Sequence, residues 1–379
     1  MTVPPSWRVE TCVGVPAIAA VEAEWAALDR SASLGEWFAG PDWILPWFES
    51  YGNIADLSLH LLRSERDGQL NGLLPLTSLP DAGWCAPRIG FPVNAQVRRV
   101  GLLARDHHAA VLEALLPSVL THAADRCMTL QRVPVDSALD HAILTAVTHR
   151  SLGHYSTDEL PSAIIDWSGG WDAYLRSRPG KLLRNLRSRA RKLDEDAQWR
   201  WQGVTAARDL SDAWRAVLDI ESRSWKEASG SSLTREVDAG SFYRRVAERC
   251  AHSGRLRLEL LWHGDEPVAH ALGVEDRGCL YLLKNSYVEA HRGSAPGNAL
   301  VWRMMEHACA RGLRAFDFLG DTSDWKRSLS TAEPAYRSHI VYSRGNVRGA
   351  ACRQWTTRIK PMLRELRVVQ TLKRRVKGR

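Results

Sequence analysis

The stretch from Cys279 to Leu329 constrains the fold more than any other part of the chain. There a strand, a glycine-bearing loop, a helix, a second strand and an isolated lysine follow one another. Cys279-Leu-Tyr-Leu-Leu-Lys284 is a short apolar run after the turn Glu275-Asp-Arg-Gly278, as expected of the second arm of a hairpin. Next comes the loop Arg292-Gly-Ser-Ala-Pro-Gly297. Leu300, Val301, Met304, Met305, Ala308 and Cys309 then recur at helical spacing, and Gly312 stops the pattern. Arg314 to Leu319 reads as the next strand, followed by Gly320-Asp-Thr-Ser-Asp-Trp-Lys326. A loop ending in glycine at a helix start exposes backbone N–H groups that have no intrahelical partner. With the helix dipole they form an anion site that suits the phosphate of a nucleotide-bearing donor. A glycine there is also an ordinary tight entry turn.

This order of pieces resembles a known family. Ser294-Ala-Pro-Gly297, the helix, its closing glycine, Asp317-Phe318, Gly320-Asp321 and Trp325-Lys326 are similar to the C-terminal half of CelD/BioF-type acyltransferases of the GNAT superfamily, relatives of the Fem peptidyltransferases. The resemblance extends back through Arg184 to Leu193 and Glu221 to Lys226, and more weakly through the N-terminal half, so that it covers most of residues 15–345. It implies an α/β (α+β) chain of tandem GNAT-like domains, each a mixed twisted sheet flanked by helices. The expected parts are a worn domain over 1–165, a donor-binding domain over 166–345 and a basic helical tail over 346–379. Two departures stand out. Of the usual Gln/Arg-x-x-Gly-x-Gly/Ala loop, the window Ser294 to Ala299 keeps Gly-x-Ala but not the leading Gln/Arg, and Ser328-Leu329 replaces an aromatic expected beyond the lysine.

Length and charge narrow the partners. The 379 residues fit two ordinary domains. No apolar run reaches the length of a membrane span and no basic-then-apolar leader opens the chain, so membrane insertion is not expected and a cytoplasmic location is. Seven scattered cysteines without a Cys-x-x-Cys suggest neither a disulfide framework nor a metal site. The net charge is +8, but twelve Lys and Arg against one Glu from Arg344 onward put +11 in the tail and leave about −3 elsewhere. A second basic cluster, Arg176 to Lys192, includes Arg184, Arg187 and Arg191. Such clusters suit a polyanion such as RNA, and they also occur as solvated helix faces.

Along the chain, Ala17–Leu28 and Pro41–Phe48 read as helices, and Leu57–Arg63 with Leu70–Leu76 as a hairpin about the Asp-Gly turn. A helix near 109–124, a strand at 128–133, a helix at 138–148 and a strand at 163–167 complete a first α/β unit, whose loop at 103–108 lacks a phosphate-cradling glycine. Ser168-Gly-Gly marks a boundary. Helices follow through Leu193, from Leu210 to Trp225 and from Phe242 to Ala251. Then come a meander over 256–274, a closing strand at 336–342 and a tail helix interrupted by Pro361.

Amide formation needs an amine to lose a proton and a developing oxyanion to be stabilised. The resemblance assigns Lys326 to the oxyanion as a fixed cation. For the base, His270 is suited to proton transfer and equally to a satisfied core position; Glu221 and Asp321 are alternatives, and water can carry the proton. Arg292, Ser294, Gly297, Asn298 and Ala299 are the expected donor-binding residues, and Trp225, Tyr281, Asn285 and Tyr287 are candidates to line the acceptor. The expected donor is acyl-CoA, such as acetyl-CoA, and the acceptor an amine of a small molecule or sugar. Aminoacyl-tRNA is the alternative donor, with Arg184, Arg187, Arg191, Lys373, Arg374 and Arg375 on the RNA, and a non-catalytic RNA-binding module is a third reading. No metal is expected, and both a monomer and a dimer are compatible with a duplicated domain.

Overall fold

The computed structural model describes residues 6–32, 37–53, 56–79, 88–94, 99–122, 127–320 and 322–362. The first half contains β1 (Trp7–Val13), α1 (Val15–Ser31), α2 (Pro41–Tyr51), β2 (Leu57–Ser64), β3 (Leu70–Leu79), β4 (Arg88–Gly90), β5 (Leu103–Ala104), α3 (His108–His122), β6 (Cys127–Pro134), α4 (Ala138–His149) and β7 (Gly153–Glu159). After them come β8 (Ile164–Asp166), α5 (Trp171–Arg176), α6 (Gly180–Glu195), β9 (Trp199–Val204), α7 (Ala207–Ser222), α8 (Trp225–Ser229), α9 (Val237–His252), β10 (Leu256–His263), β11 (Glu266–Asp276) and β12 (Cys279–Tyr287). The chain continues through α10 (Pro296–Ala310), β13 (Ala315–Asp317), α11 (Asp324–Leu329), β14 (Tyr336–Tyr342) and α12 (Val347–Gln354).

Two compact units result. The first takes residues 6–44, Gly52–Glu159 and 336–362, and the second Leu45–Tyr51 with Leu160–Ala335. The sheet of the first unit runs β1-β2-β3-β4-β6-β14-β7, with β5 beside β3. Its local chemistry is as the sequence suggests. Pro16 sits in the first turn of α1, where the missing N–H costs no bond, and Ile18, Val21, Trp25 and Leu28 are buried at helical spacing. Ser137 caps α4, its Oγ accepting from Asp140 N at 3.2 Å.

The second sheet runs β8-β13-β12-β11-β10-β9. One face is covered by α10 and α6, whose Leu183, Leu186 and Leu193 join Leu300, Met304, Met305 and Phe316 in one core. Gly273 lets α10 lie close, since a Cβ there would fall 2.9 Å from Met304 Cε. The amphipathic α7 packs against the same sheet through buried Trp214, Val217, Ile220 and Glu221.

Two strands exchange sheets relative to expectation. β14, expected to close the C-terminal sheet, lies between β6 and β7 in the first. β8, expected to complete the first unit, pairs with β13 in the second. Strand composition says how much of a strand is buried but not beside which partner, so the pattern of each was legible and its sheet was not. Helix α7 also ends earlier than expected, at Ser222, because Ser224 turns extended (φ −88°, ψ 163°) and starts α8.

Candidate functional site

The site is built where β12 runs on beyond its last pair with β13. Their parallel pairing covers Cys279↔Ala315, Leu280↔Phe316 and Tyr281↔Asp317. Beyond Tyr281, β12 runs on to Tyr287 with β11 alone as its sheet neighbour among the described residues. The irregularity in the β11/β12 register at Leu272/Gly273 falls at the start of this uncovered stretch and adds local twist. A strand edge that its neighbour no longer pairs leaves backbone groups that a continuous ladder would consume.

The loop after β12 delivers a helix N-terminus. Glu289–Ser294 forms a 3-10 turn, Ala295 adopts the left-handed conformation (φ 50°, ψ 49°), and α10 starts at Pro296. Of the first amides, Ala295 N is bonded to Arg292 O at 3.0 Å, Pro296 has none, and Asn298 N turns back to Ala295 O at 3.1 Å. That leaves the Gly297 N–H as the amide available at this end. Gly297 is buried beneath Tyr287, whose Cδ1 would lie 3.0 Å from an added Cβ. Ala299 is buried, and Arg292, Ser294 and Asn298 are exposed, with Arg292 paired to Glu289 at 3.2 Å. The left-handed residue is three beyond Arg292 and two before Gly297, so Arg292-x-x-Ala295-x-Gly297 is a second register of the loop pattern, with alanine held where glycine is unstrained.

Lys326 lies on α11, with its ammonium donating to Leu319 O at 2.7 Å and Phe318 O at 3.3 Å. Those carbonyls belong to the turn after β13, where Leu319 (φ 49°) and Gly320 (φ 64°) are consecutively left-handed. Asp317, itself buried, accepts from Leu319 N at 2.8 Å. Asp321 lies outside the described residues.

On the α7 side of the sheet a buried charge cluster forms. His270 Nε2 and Glu221 Oε1 are 2.9 Å apart, Glu221 Oε2 accepts from Leu233 N at 3.1 Å, and Lys226 Nζ sits 3.6 Å from Glu221 Oε1 while donating to Asn285 O at 2.6 Å. Glu221 and His270 are fully buried. Burial lowers the His270 imidazole, so it is neutral and donates from Nε2 to the carboxylate. Burial opposes ionisation of Glu221, yet the His270 hydrogen bond, the Lys226 ammonium and the Leu233 amide hold its carboxyl at about 2. Lys284, next to this cluster on the uncovered part of β12, has its ammonium over the Tyr243 ring at 5.1 Å and is pulled down to about 8, by burial first and then by the Lys226 charge.

The remaining expected residues separate. Tyr281 is buried at the last β12/β13 pair, and Trp225 is half exposed at the start of α8. Arg184, Arg187 and Arg191 are exposed on α6, opposite its buried leucines. Lys373, Arg374 and Arg375 lie outside the described residues. Lys284 and Lys226 were missed as site residues. Their signals were a lysine closing an apolar strand and a Glu–Lys spacing of five, both of which are common in surface elements.

Comparison with known proteins fits this geometry. Residues 180–327 match the family model described as acetyltransferase (GNAT) domain. No curated protein matches the sequence. Among solved structures, FemX covers 88% of this chain and 97% of its own at 15% identity and a TM-score of 0.57. A conserved protein of unknown function from Bacteroides thetaiotaomicron covers 86% and 97% at 11% identity and 0.56. The C-terminal domain of an Agrobacterium fabrum protein described as a lysylphosphatidylglycerol synthetase covers 89% and 96% at 12% identity and 0.54. At these identities the likeness is one of fold. Residues 180–327 thus match a GNAT acetyltransferase domain, and the fold over most of the chain is similar to that of FemX.

Proposed function

We propose that the chain is an N-acyltransferase that passes an acyl group from acyl-CoA, such as acetyl-CoA, to the amine of a small molecule or sugar. The supporting observation is that β12 runs on beyond its last pair with β13 and leads through the 289–294 turn to the start of α10, which brings an unpaired strand edge and a helix N-terminus into one segment. The amine attacks the thioester carbonyl and gives its proton to a base, the tetrahedral oxyanion collapses with cleavage of the C–S bond, and the departing thiolate takes the proton back from that base. Lys326 supplies a positive charge held by the turn after β13. Lys284 receives the proton, because an amine that titrates at about 8 is a usable base near neutral pH and lies on the uncovered strand. His270, sealed against Glu221, positions that carboxylate rather than meeting the substrate.

A second donor, aminoacyl-tRNA, is favoured by one observation: the loop offers a single amide to a pyrophosphate, while α6 exposes Arg184, Arg187 and Arg191. The test is to give the protein acetyl-CoA and a panel of amines, or charged tRNA and the same amines. Acceptor-dependent thiol release that disappears in Lys284→Met supports the first reading. Acceptor-dependent loss of the aminoacyl ester with no thiol release replaces it with the second, and neither product sinks both.

A further inference from the structure

Away from that strand edge, three side chains from separate segments converge at the far end of the second sheet. His263 ends β10 and Glu266 starts β11. The two are direct partners across the hairpin and so project on the same side. The turn between them needs Gly264 at φ 57°, and that residue's N–H is anchored to Gln198 O at 2.7 Å. His291 comes from the 3-10 turn that leads into α10, with its Nε2 3.1 Å from Glu266 Oε2. One ligand atom from each of the three lies within 4.8 Å of the others.

We propose that His263, Glu266 and His291 bind one divalent transition ion of the zinc type. Two imidazoles and a carboxylate are a borderline donor set that suits zinc and leaves a fourth position for water. Tetrahedral bonds of about 2.0–2.1 Å place ligand atoms roughly 3.3 Å apart, so the His291–Glu266 edge already has the required length and His263 swings inward. His291 needs only to carry its proton on Nδ1, because a neutral imidazole coordinates through the bare nitrogen.

The surroundings support the ligands. The Arg223 guanidinium pairs with Glu266 Oε1, which orients the carboxylate and leaves Oε2 toward the histidines. The Trp199 ring packs against both imidazoles, at 4.7 Å from His263 and 5.7 Å from His291. Outer partners and an apolar wall of this kind are what fix ligand geometry and limit water access.

The bound ion ties the β10/β11 hairpin to the turn that carries Arg292 and leads to Gly297. A consequence separate from catalysis follows: metal slows amide exchange in residues 290–294, which follow the anchor of Glu289 N on Arg223 O at 3.1 Å and include the local bond of His291 N to Val288 O at 3.0 Å.

The experiment titrates ZnCl2 into untagged full-length protein by calorimetry, repeats it with CoCl2 while following the visible spectrum, and measures hydrogen exchange of the 290–294 segment. The expected result is one site per chain, a tetrahedral Co2+ spectrum and slower exchange. Affinity should fall at least about 100-fold in His263→Ala and His291→Ala and roughly tenfold in Arg223→Gln. His252→Ala, whose ring bonds Glu248 O on the surface of α9, should bind as wild type. Absence of stoichiometric binding in the wild type, or binding that both His263→Ala and His291→Ala retain, overturns the proposal.

Discussion

Burial and the neighbouring Lys226 charge lower the Lys284 ammonium to about 8 from 10.5, so its charged form costs the fold stability. The sign follows from proton counts. Between pH 8 and 10.5 the unfolded chain binds more protons at this group than the folded one, so the penalty is present below pH 8 and is relieved as pH rises. Glu221 is the opposite case. Its carboxyl is held at about 2 against an ordinary 4.5, so its contribution is present above pH 4.5 and lost as pH falls toward 2. In urea denaturation, Lys284→Met should therefore be more stable than wild type at pH 7, by about 2–3 kcal/mol, with the gain shrinking toward pH 10.5. Glu221→Gln should lose about 3 kcal/mol at pH 7, since it leaves the mostly buried Lys226 facing Lys284 without a countercharge. A Lys284→Met protein no more stable than wild type would mean that the lysine is solvated, which would also remove it as a base.

At the scale of elements, the site depends on how closely segments approach. Gly240 in the first turn of α9 faces the Leu233 carbonyl, and a Cβ there would lie 2.5 Å from that oxygen. Alanine normally favours a helix by about 1 kcal/mol over glycine. Here it must displace a backbone segment whose Leu233 amide holds Glu221 Oε2. Gly240→Ala should thus destabilise by about 2 kcal/mol, read as a lower thermal midpoint, and a rise in the midpoint would show that the loop yields freely. Such contacts explain what could be read from the sequence. Helices α1, α4, α9 and α10 and the β10–β12 meander follow from periodicity and turn residues, and the order loop, helix, strand, lysine marked the GNAT domain. Close approaches and strand partners depend on residues far apart in the chain. Hence β8 and β14 went to the wrong sheets, and Lys284, seen in the sequence as the end of an apolar strand, was not recognised as a neighbour of Glu221 and His270.

For the molecule as a whole, the uneven charge offers the sharpest choice between donors. The described part of the tail exposes Arg348, Arg353, Arg358 and Lys360, and α6 exposes Arg184, Arg187 and Arg191 while burying Leu183, Leu186 and Leu193. The α6 arginines can be neutralised without disturbing that buried face. The nearest acid, Glu195, is 3.5 Å from Arg191 in an exposed i,i+4 pair worth roughly 0.3–0.5 kcal/mol. Each phosphate contact adds close to one unit to the slope of log affinity against log salt, the contribution of the counterions it releases. If tRNA carries the acyl group, Arg184→Gln/Arg187→Gln/Arg191→Gln should bind tRNA more weakly, with a slope shallower by about 2–3. Its thermal midpoint should stay near that of wild type. If acyl-CoA is the donor, the same variant should keep wild-type thiol release while any tRNA binding falls, because among the described residues no hydrogen bond or ion pair joins the solvent face of α6 to the start of α10 or to Lys284. An unchanged salt slope with unchanged tRNA affinity would reduce the α6 arginines to a solvated helix face and leave the aminoacyl-tRNA reading without its structural support.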